Sequence, residues 1–368
     1  MNVVESVLVT DVGDGLCAGL TTLSGAGIQI DCGSQQGPEK AARGLEILRL
    51  FFPRGPSCDA FILSHFHTDH YNGLFSSTAG RYMRRRGSQA KEVYFPRLPD
   101  LPQKRDFLAA LYSICVRTFG DASGVMQYDL LSTMRGLTGG PVKYWALAEG
   151  DVVDVSGSVL EVLWPPRMAN GTVVKSVQKA LELFERACKE DVDTATIYKK
   201  VSESHLLDPY LEEANGVEVK GLQADHPQVA YERKSIPRVV KEADDALRKA
   251  ANRISLAFRE GGAFLFMGDT ESNEINAIAK ELDAKDRRDF SLLLTPHHGT
   301  HWGNDLRRIR CEYALTSVGK GLIAKCEEGF KQISQRALST FSNGGLLVPI
   351  LHPPWDRRFY PWWHEVDW

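Results

Sequence analysis

The chain has no CxxC pair, no long apolar run and no excess of charge of either sign. Its seven cysteines, Cys17, Cys32, Cys58, Cys115, Cys188, Cys311 and Cys326, are odd in number and irregularly spaced. They predict reduced, buried thiols rather than a disulfide framework. Cys32, although next to Asp31, is assigned to packing. No stretch reaches the roughly 18 apolar residues of a membrane span. The opening residues MNVVESVLVTDVGDG lack the basic and apolar regions of a secretory signal, so a cytoplasmic location is expected. The 44 basic and 47 acidic residues give a formal charge of −3, which exerts no global pull on nucleic acid or acidic membranes. Any polyanion would have to be met by a local patch.

What is present is ordinary globular material. Hydrophobic residues make up 43% of 368 and charged residues 25%, enough for one large layered domain or a core with an insertion. VESVLVTDV and GAGIQIDCGS read as strands, EKAARGLEILRLFF as an amphipathic helix, and AFIL as a buried strand leading into a histidine-rich loop. A helix is predicted around 105–118 and a hairpin over 151–166. From 167 to 250 charged helical segments take over, and this stretch is read as an inserted helical subdomain, a lid or docking surface. Two apolar runs split by Arg-Glu-Gly-Gly predict a second hairpin over 254–269. DFSLLLTPHHGTH repeats the design of strand followed by histidines, CEYALTSVGKG adds another strand and turn, and the aromatic C-terminal tail is expected to pack as a strap. The expected organisation is therefore 1–166 and 251–368 as two halves of an α/β core, separated by 167–250.

Residues 65–70 read His-Phe-His-Thr-Asp-His. In extended chain His65 and His67 project to the same side, and Asp69 and His70 follow toward a second position. Imidazole pairs suit a borderline ion such as zinc, and a carboxylate with an imidazole suits a neighbouring one. Asp269 ends an apolar strand at Met267-Gly268-Asp269, and Leu292–Leu294 lead into His297-His298-Gly299. Three strand ends, each carrying ligand chemistry, predict a metal centre with two divalent ions. Carboxylate-bridged ions bring a water's pKa toward neutrality and supply a nucleophile at physiological pH. Asp31 is expected to fix a ligand histidine by hydrogen bonding, and whichever of His297 and His298 is not a ligand to contact the scissile or leaving group.

These motifs resemble the metallo-β-lactamase superfamily, and within it the hydrolase domain of ComEC-type DNA-uptake proteins and their stand-alone relatives. The matching segments are Asp11–Gly15, Ile30–Gly33, the 65–70 motif, Val162–Pro166, Asn252 with Ser255-Leu256, Gly268-Asp269, His297–Gly299 and Ser317–Gly319. The resemblance implies an αββα sandwich with two metals, zinc or manganese, at one edge. It implies that His65 and His67 hold the first ion with one of His297 and His298, that Asp69 and His70 hold the second, and that Asp269 bridges. Relatives often carry a further histidine after the Ser-Val-Gly turn; here Lys320–Lys325 holds none, leaving His352 or His301 as substitutes. His205 and His226 are expected to be solvated. The residues expected in the chemistry are thus Asp69, Asp31, His297 and His298.

The resemblance implies a metal-dependent phosphodiesterase or nuclease. Arg84 and Arg85, within a basic run after the metal loop, are candidate phosphate contacts together with Asn252. A protein partner could dock on 167–250. Two other functions fit the same motifs: hydrolysis of a carbonyl substrate such as a thioester or lactone, and a non-catalytic binding module that retains the metal site.

Overall fold

A computed structural model describes residues 4–53, 58–75, 90, 92–101, 103–119, 130–131, 134, 142–211, 215–218 and 235–350. Arg84, Arg85, His226, His352 and the aromatic tail lie outside the described residues.

The strands fall into two sheets. The first has the order β15 (Leu346–Pro349), β1 (Val4–Val9), β2 (Ala18–Thr22), β3 (Gly27–Ile30), β4 (Ala60–Ile62), β5 (Glu92–Pro96), β6 (Lys143–Leu147) and β9 (Asn215–Glu218). The second runs β14 (Ser334–Ser339), β13 (Arg310–Thr316), β12 (Asp289–Leu294), β11 (Phe264–Phe266), β10 (Ala257–Glu260), β8 (Ser158–Trp164) and β7 (Val152–Val155). The predicted hairpins are β7–β8 and β10–β11, both antiparallel.

Alternation along each strand decides the layering. Val7 and Val9 pack with Ile28, Ile30 and Ile62 against Phe258, Phe264, Phe266, Leu292 and Leu294 of the other sheet. Leu8 and Phe61, their intervening neighbours, join the outer core with helices α1 (Pro38–Phe51), α2 (Lys104–Phe119), α3 (Gly171–Glu190), α4 (Val192–Ser202) and α5 (Arg238–Asn252). Leu265 and Leu293 face outward from the second sheet, onto Ile275, Ile278 and Leu282 of α6 (Ser272–Ala284). Both central faces of each sheet are covered, which is why these strands read as continuous apolar runs. The result is an αββα sandwich.

Helices α3, α4 and α5 share one hydrophobic cluster with the first sheet: Val173, Val177, Ile197, Val240 and Leu247 pack in the same core as Leu45, Phe61 and Phe95. Asn170 caps α3 by accepting from the backbone N–H groups of Thr172 and Val173, at 3.0 and 2.9 Å. The seven cysteines are free thiols. Among the described residues no helix is long and apolar enough to cross a membrane.

Candidate metal centre

Strands β3, β4 and β5 are parallel, as are β11, β12 and β13, and the chain leaves each group at its carboxyl ends. Ile30 lies opposite Ile62, and Phe266 opposite Leu294, so Asp31, Ser64-His65, Asp269 and His297-His298 all emerge beside one another. Crevices beyond the carboxyl ends of parallel strands are where open α/β sheets place their ligands. A backbone bond from Leu256 N–H to Ser64 C=O, 2.7 Å, ties the two sheets together at this edge.

Each motif segment has a local task. Asp31 is fully buried at φ +54° and accepts from Ser64 N–H at 2.7 Å, Ser64 Oγ at 2.6 Å and His70 Nδ1 at 2.7 Å. Gly33 lies so close to the metal loop that an added Cβ would stand 2.0 Å from the Asp69 carbonyl oxygen. Thr68–His70 forms a 3₁₀ turn, which swings Asp69 and His70 back toward His65 and His67. Gly268, at φ +51°, has no room for a side chain against Leu256 O and Ser255 Oγ; the next residue, Asp269, donates its N–H to that Oγ at 2.9 Å. Asp14 holds the Ser-Val-Gly turn by accepting from the N–H groups of Gly319, Gly321 and Leu322. That turn presents the Ser317 carbonyl to His298 Nδ1 at 3.1 Å, fixing Nε2 as the free nitrogen.

The converging side chains form two buried groups of potential ligand atoms, His65/His70/Asp269 and Asp69/His70/His298. Asp269 Oδ2 lies 3.4 Å from His70 Nε2, 3.5 Å from His298 Nε2 and 3.9 Å from His297 Nε2. The His65 Nε2 to His67 Nδ1 distance is 2.8 Å. Four imidazole nitrogens, Nε2 of His67, His70 and His298 and Nδ1 of His297, are buried without a hydrogen-bond partner. Buried polar atoms left unpaired are costly, and the two of these that lie within 3.5 Å of Asp269 Oδ2, Nε2 of His70 and His298, are donor atoms that fit a divalent cation.

The electrostatics agree with that use. Burial, followed by the neighbouring imidazoles, pushes His65 well below the usual histidine range; for His67 burial is followed by the charge of Arg248. Both are therefore neutral, with a lone pair to offer. His70 goes the other way: burial opposes its charge, but Asp269 and Asp31 outweigh it and hold the imidazolium well above the ordinary value. Asp69 is held down to about 2, because His70 and Arg248 outweigh its burial.

A third, less buried group, Glu271/His297/His301, stands at the mouth. His297 and His301 stack at 3.9 Å between centroids, and His301 Nε2 lies 3.4 Å from Glu271 Oε2. His297 and His298 are consecutive left-handed residues (φ 49° and 55°), a strained backbone that separates their side chains. Burial drives His297 down to about 4. Asn252 is buried, with Nδ2 3.4 Å from Glu271 Oε1. His205 is solvated and pairs with Asp208, away from these groups.

A cavity of about 240 Å³ opens onto the cluster, lined by His67, Asp69, Asp269, His297, His298 and Asn252, with Gln35, Glu271 and His301 and three α5 residues, Asp245, Arg248 and Lys249. Sequence reasoning missed Gln35, Glu271 and Arg248. Gln35 Nε2 donates to Asp69 Oδ2 at 3.0 Å, and Arg248 Nη2 reaches the same oxygen at 3.4 Å.

Fold and site together define an αββα sandwich with a histidine–carboxylate centre at one edge. Among solved structures the chain is similar to the metallo-β-lactamase fold protein YhfI from Bacillus subtilis, at 11% identity over 93% of this chain and 99% of that one, with a TM-score of 0.40. It is similar to MEM-A1, a subclass B3 metallo-β-lactamase isolated from a soil metagenome library, at 21% identity over 45% of this chain and 52% of that one, TM-score 0.24. It also resembles a long form RNase Z from yeast, at 8% identity over 79% of this chain and 32% of that one, TM-score 0.36. No family model and no curated protein matches the sequence.

Proposed function

We propose that this chain is a divalent-metal-dependent hydrolase of the metallo-β-lactamase superfamily that cleaves phosphodiesters. The observation that carries the reading is the convergence of His65, Asp69, His70, Asp269 and His298 in two buried groups of potential ligand atoms, with His67 beside His65 and the Nε2 atoms of His67, His70 and His298 buried and unpartnered. His65 and His67 would hold one ion. Asp69, His70 and His298 would hold the other, and Asp269 would serve both. On this reading His298 takes the place of the histidine missing after the Ser-Val-Gly turn. Zinc suits the donor set and manganese is the alternative. Such ions lower the pKa of water and polarise a phosphoryl oxygen.

The chain's own groups orient and proton-manage the reaction. Asp31 and the Ser317 carbonyl fix the tautomers of His70 and His298. His297, neutral at physiological pH, can accept a proton rather than donate one. His301, whose Nε2 lies 3.4 Å from Glu271 Oε2, is the histidine at the mouth placed to contact a departing oxygen. The motif resemblance to ComEC-type hydrolase domains supports a nucleic-acid or smaller phosphodiester. We infer further that 167–250 restricts access, because α5, which it largely contains, forms one cavity wall.

The test is metal content measured alongside hydrolysis of bis-p-nitrophenyl phosphate. Wild type is expected to carry or take up zinc and turn over, and His67→Ala to lose at least about 100-fold of kcat/KM. Metal without turnover, unchanged by His67→Ala, would establish the binding module instead. Turnover confined to nitrocefin or a glutathione thioester would establish a carbonyl substrate.

A further inference from the structure

Arg248 is the cation the metal centre does not need. It stands on α5, one turn before Asn252 and 179 residues from Asp69, and it lines the cavity and places Nη2 3.4 Å from Asp69 Oδ2. That contact engages one of the five donors of a guanidinium. Of the other carboxylates of the wall, Glu271 faces His301 and Asn252 and Asp269 faces three histidines, while Asp245 and its neighbour Asp244 on α5 add their negative charge to that of Asp69 around Arg248. Gln35 already satisfies Asp69 Oδ2 at 3.0 Å, so Arg248 is not required to keep that oxygen paired. Lys249, the next residue, is exposed and lines the same cavity. Two adjacent cations therefore stand at the mouth of a cleft whose floor is ligand chemistry for cations.

We propose that Arg248, assisted by Lys249, is the substrate-recognition arm of this site, gripping a phosphate oxygen of the bound ester while Asp69 holds the guanidinium in place. The proposal rests on the hydrolase reading and deepens it by naming the group that selects an anionic substrate. A planar guanidinium matches two oxygens of a phosphate, which a lysine at the same position would not. At about 240 Å³ the cavity is smaller than clefts that enclose a drug-sized ligand, so it takes one phosphoryl group with part of its ester. The recognised class is thus a phosphate ester entered from one end.

The experiment uses the zinc-loaded full chain, thymidine 5′-monophosphate and uncharged thymidine in a calorimeter, with zinc affinity measured separately by competition against a chromophoric chelator. Arg248→Ala is expected to weaken monophosphate binding about 10- to 100-fold. Its zinc affinity should stay equal or rise, since a positive charge beside Asp69 has been removed. Lys249→Ala is expected to cost about 2- to 5-fold. A merely structural Arg248 would lower both affinities, and that result overturns the proposal, as does unchanged monophosphate binding. Should Arg248→Ala not fold, Arg248→Lys decides: binding at the wild-type level contradicts a bidentate grip, and a loss of several fold supports it. Thymidine binding as tightly as its monophosphate also overturns the anion reading. Wild type that takes up no zinc removes the hydrolase reading and this one with it, whereas zinc-loaded protein indifferent to Arg248 removes this one alone.

Discussion

At the scale of single residues, the cluster is held by groups that would not touch a substrate. Asp31 is the clearest: one buried carboxylate accepts from Ser64 twice and from His70, so it sets both the path of the metal loop and the tautomer of its last histidine. Asp31→Asn keeps the shape but replaces one acceptor oxygen with an NH2 donor and removes the charge. Zinc affinity is expected to fall about 10- to 100-fold, read by chelator competition; an unchanged affinity would mean that Ser64 alone orients His70. The Asp31 pairing was legible in sequence because a strand-terminal carboxylate before a histidine loop has few other uses. Which of His297 and His298 points at the cluster was not, because it depends on two left-handed residues in succession. Nothing in a His-His-Gly string prescribes that strained turn. Gly33 carries the same lesson in reverse: a motif glycine is explained only once the Asp69 carbonyl is seen 2.0 Å from where its side chain would be.

At the scale of elements, α5 does two things with two faces. Val240, Ala243, Leu247 and Ala250 are buried, while Asp245, Arg248 and Lys249 border the cavity. The sequence does not show what lies opposite the polar face, since the period of charged residues is the same whether water or an active site faces it. Long-range packing, not local pattern, brings it to the cluster. The same crowding of charge leaves a mark on Asp244, whose carboxyl burial raises to about 6, with the like charges of Asp245 and Asp69 adding to the effect and Arg248 opposing it. The native state thus holds this proton more tightly than the unfolded chain. Its contribution to stability is fully present below about pH 4 and is lost as pH rises through 6. Asp244→Asn, an isostere of the protonated acid, should therefore be more stable than wild type at pH 7.5, by about 1–2 kcal/mol, and converge with it near pH 4. Denaturant melts of the metal-free chain at both pH values check this. A difference that persists or grows at low pH would assign the effect to something other than Asp244 ionisation.

At the scale of the whole molecule, the site exists because two parallel strand groups end at one edge and the sandwich brings those edges together. The order of strands and helices made an α/β layered fold legible, the motif resemblance implied the sandwich, and the histidine and Gly-Asp motifs sit where such strands must end. The relation of 167–250 to the rest was not legible, because a charged amphipathic helix does not reveal what its apolar stripe will cover. In the structure Val173, Val177, Ile197, Val201 and Leu247 lie in one cluster with Leu45, Phe61 and Phe95, and Trp164 Nε1 of β8 donates to Arg253 C=O just past α5 at 2.7 Å. Fully burying one such aliphatic side chain is worth about 1.5–3 kcal/mol, and native stability is only about 5–15 kcal/mol. Uncovering even a handful of these contacts exceeds that margin. Replacing 167–250 by a short linker is therefore expected to abolish cooperative unfolding and zinc uptake together, measured by circular dichroism and chelator competition. A shortened chain that still melts in one sharp transition and binds zinc as wild type does would show that the two sheets stabilise the metal edge by themselves, and that the helices act on access alone.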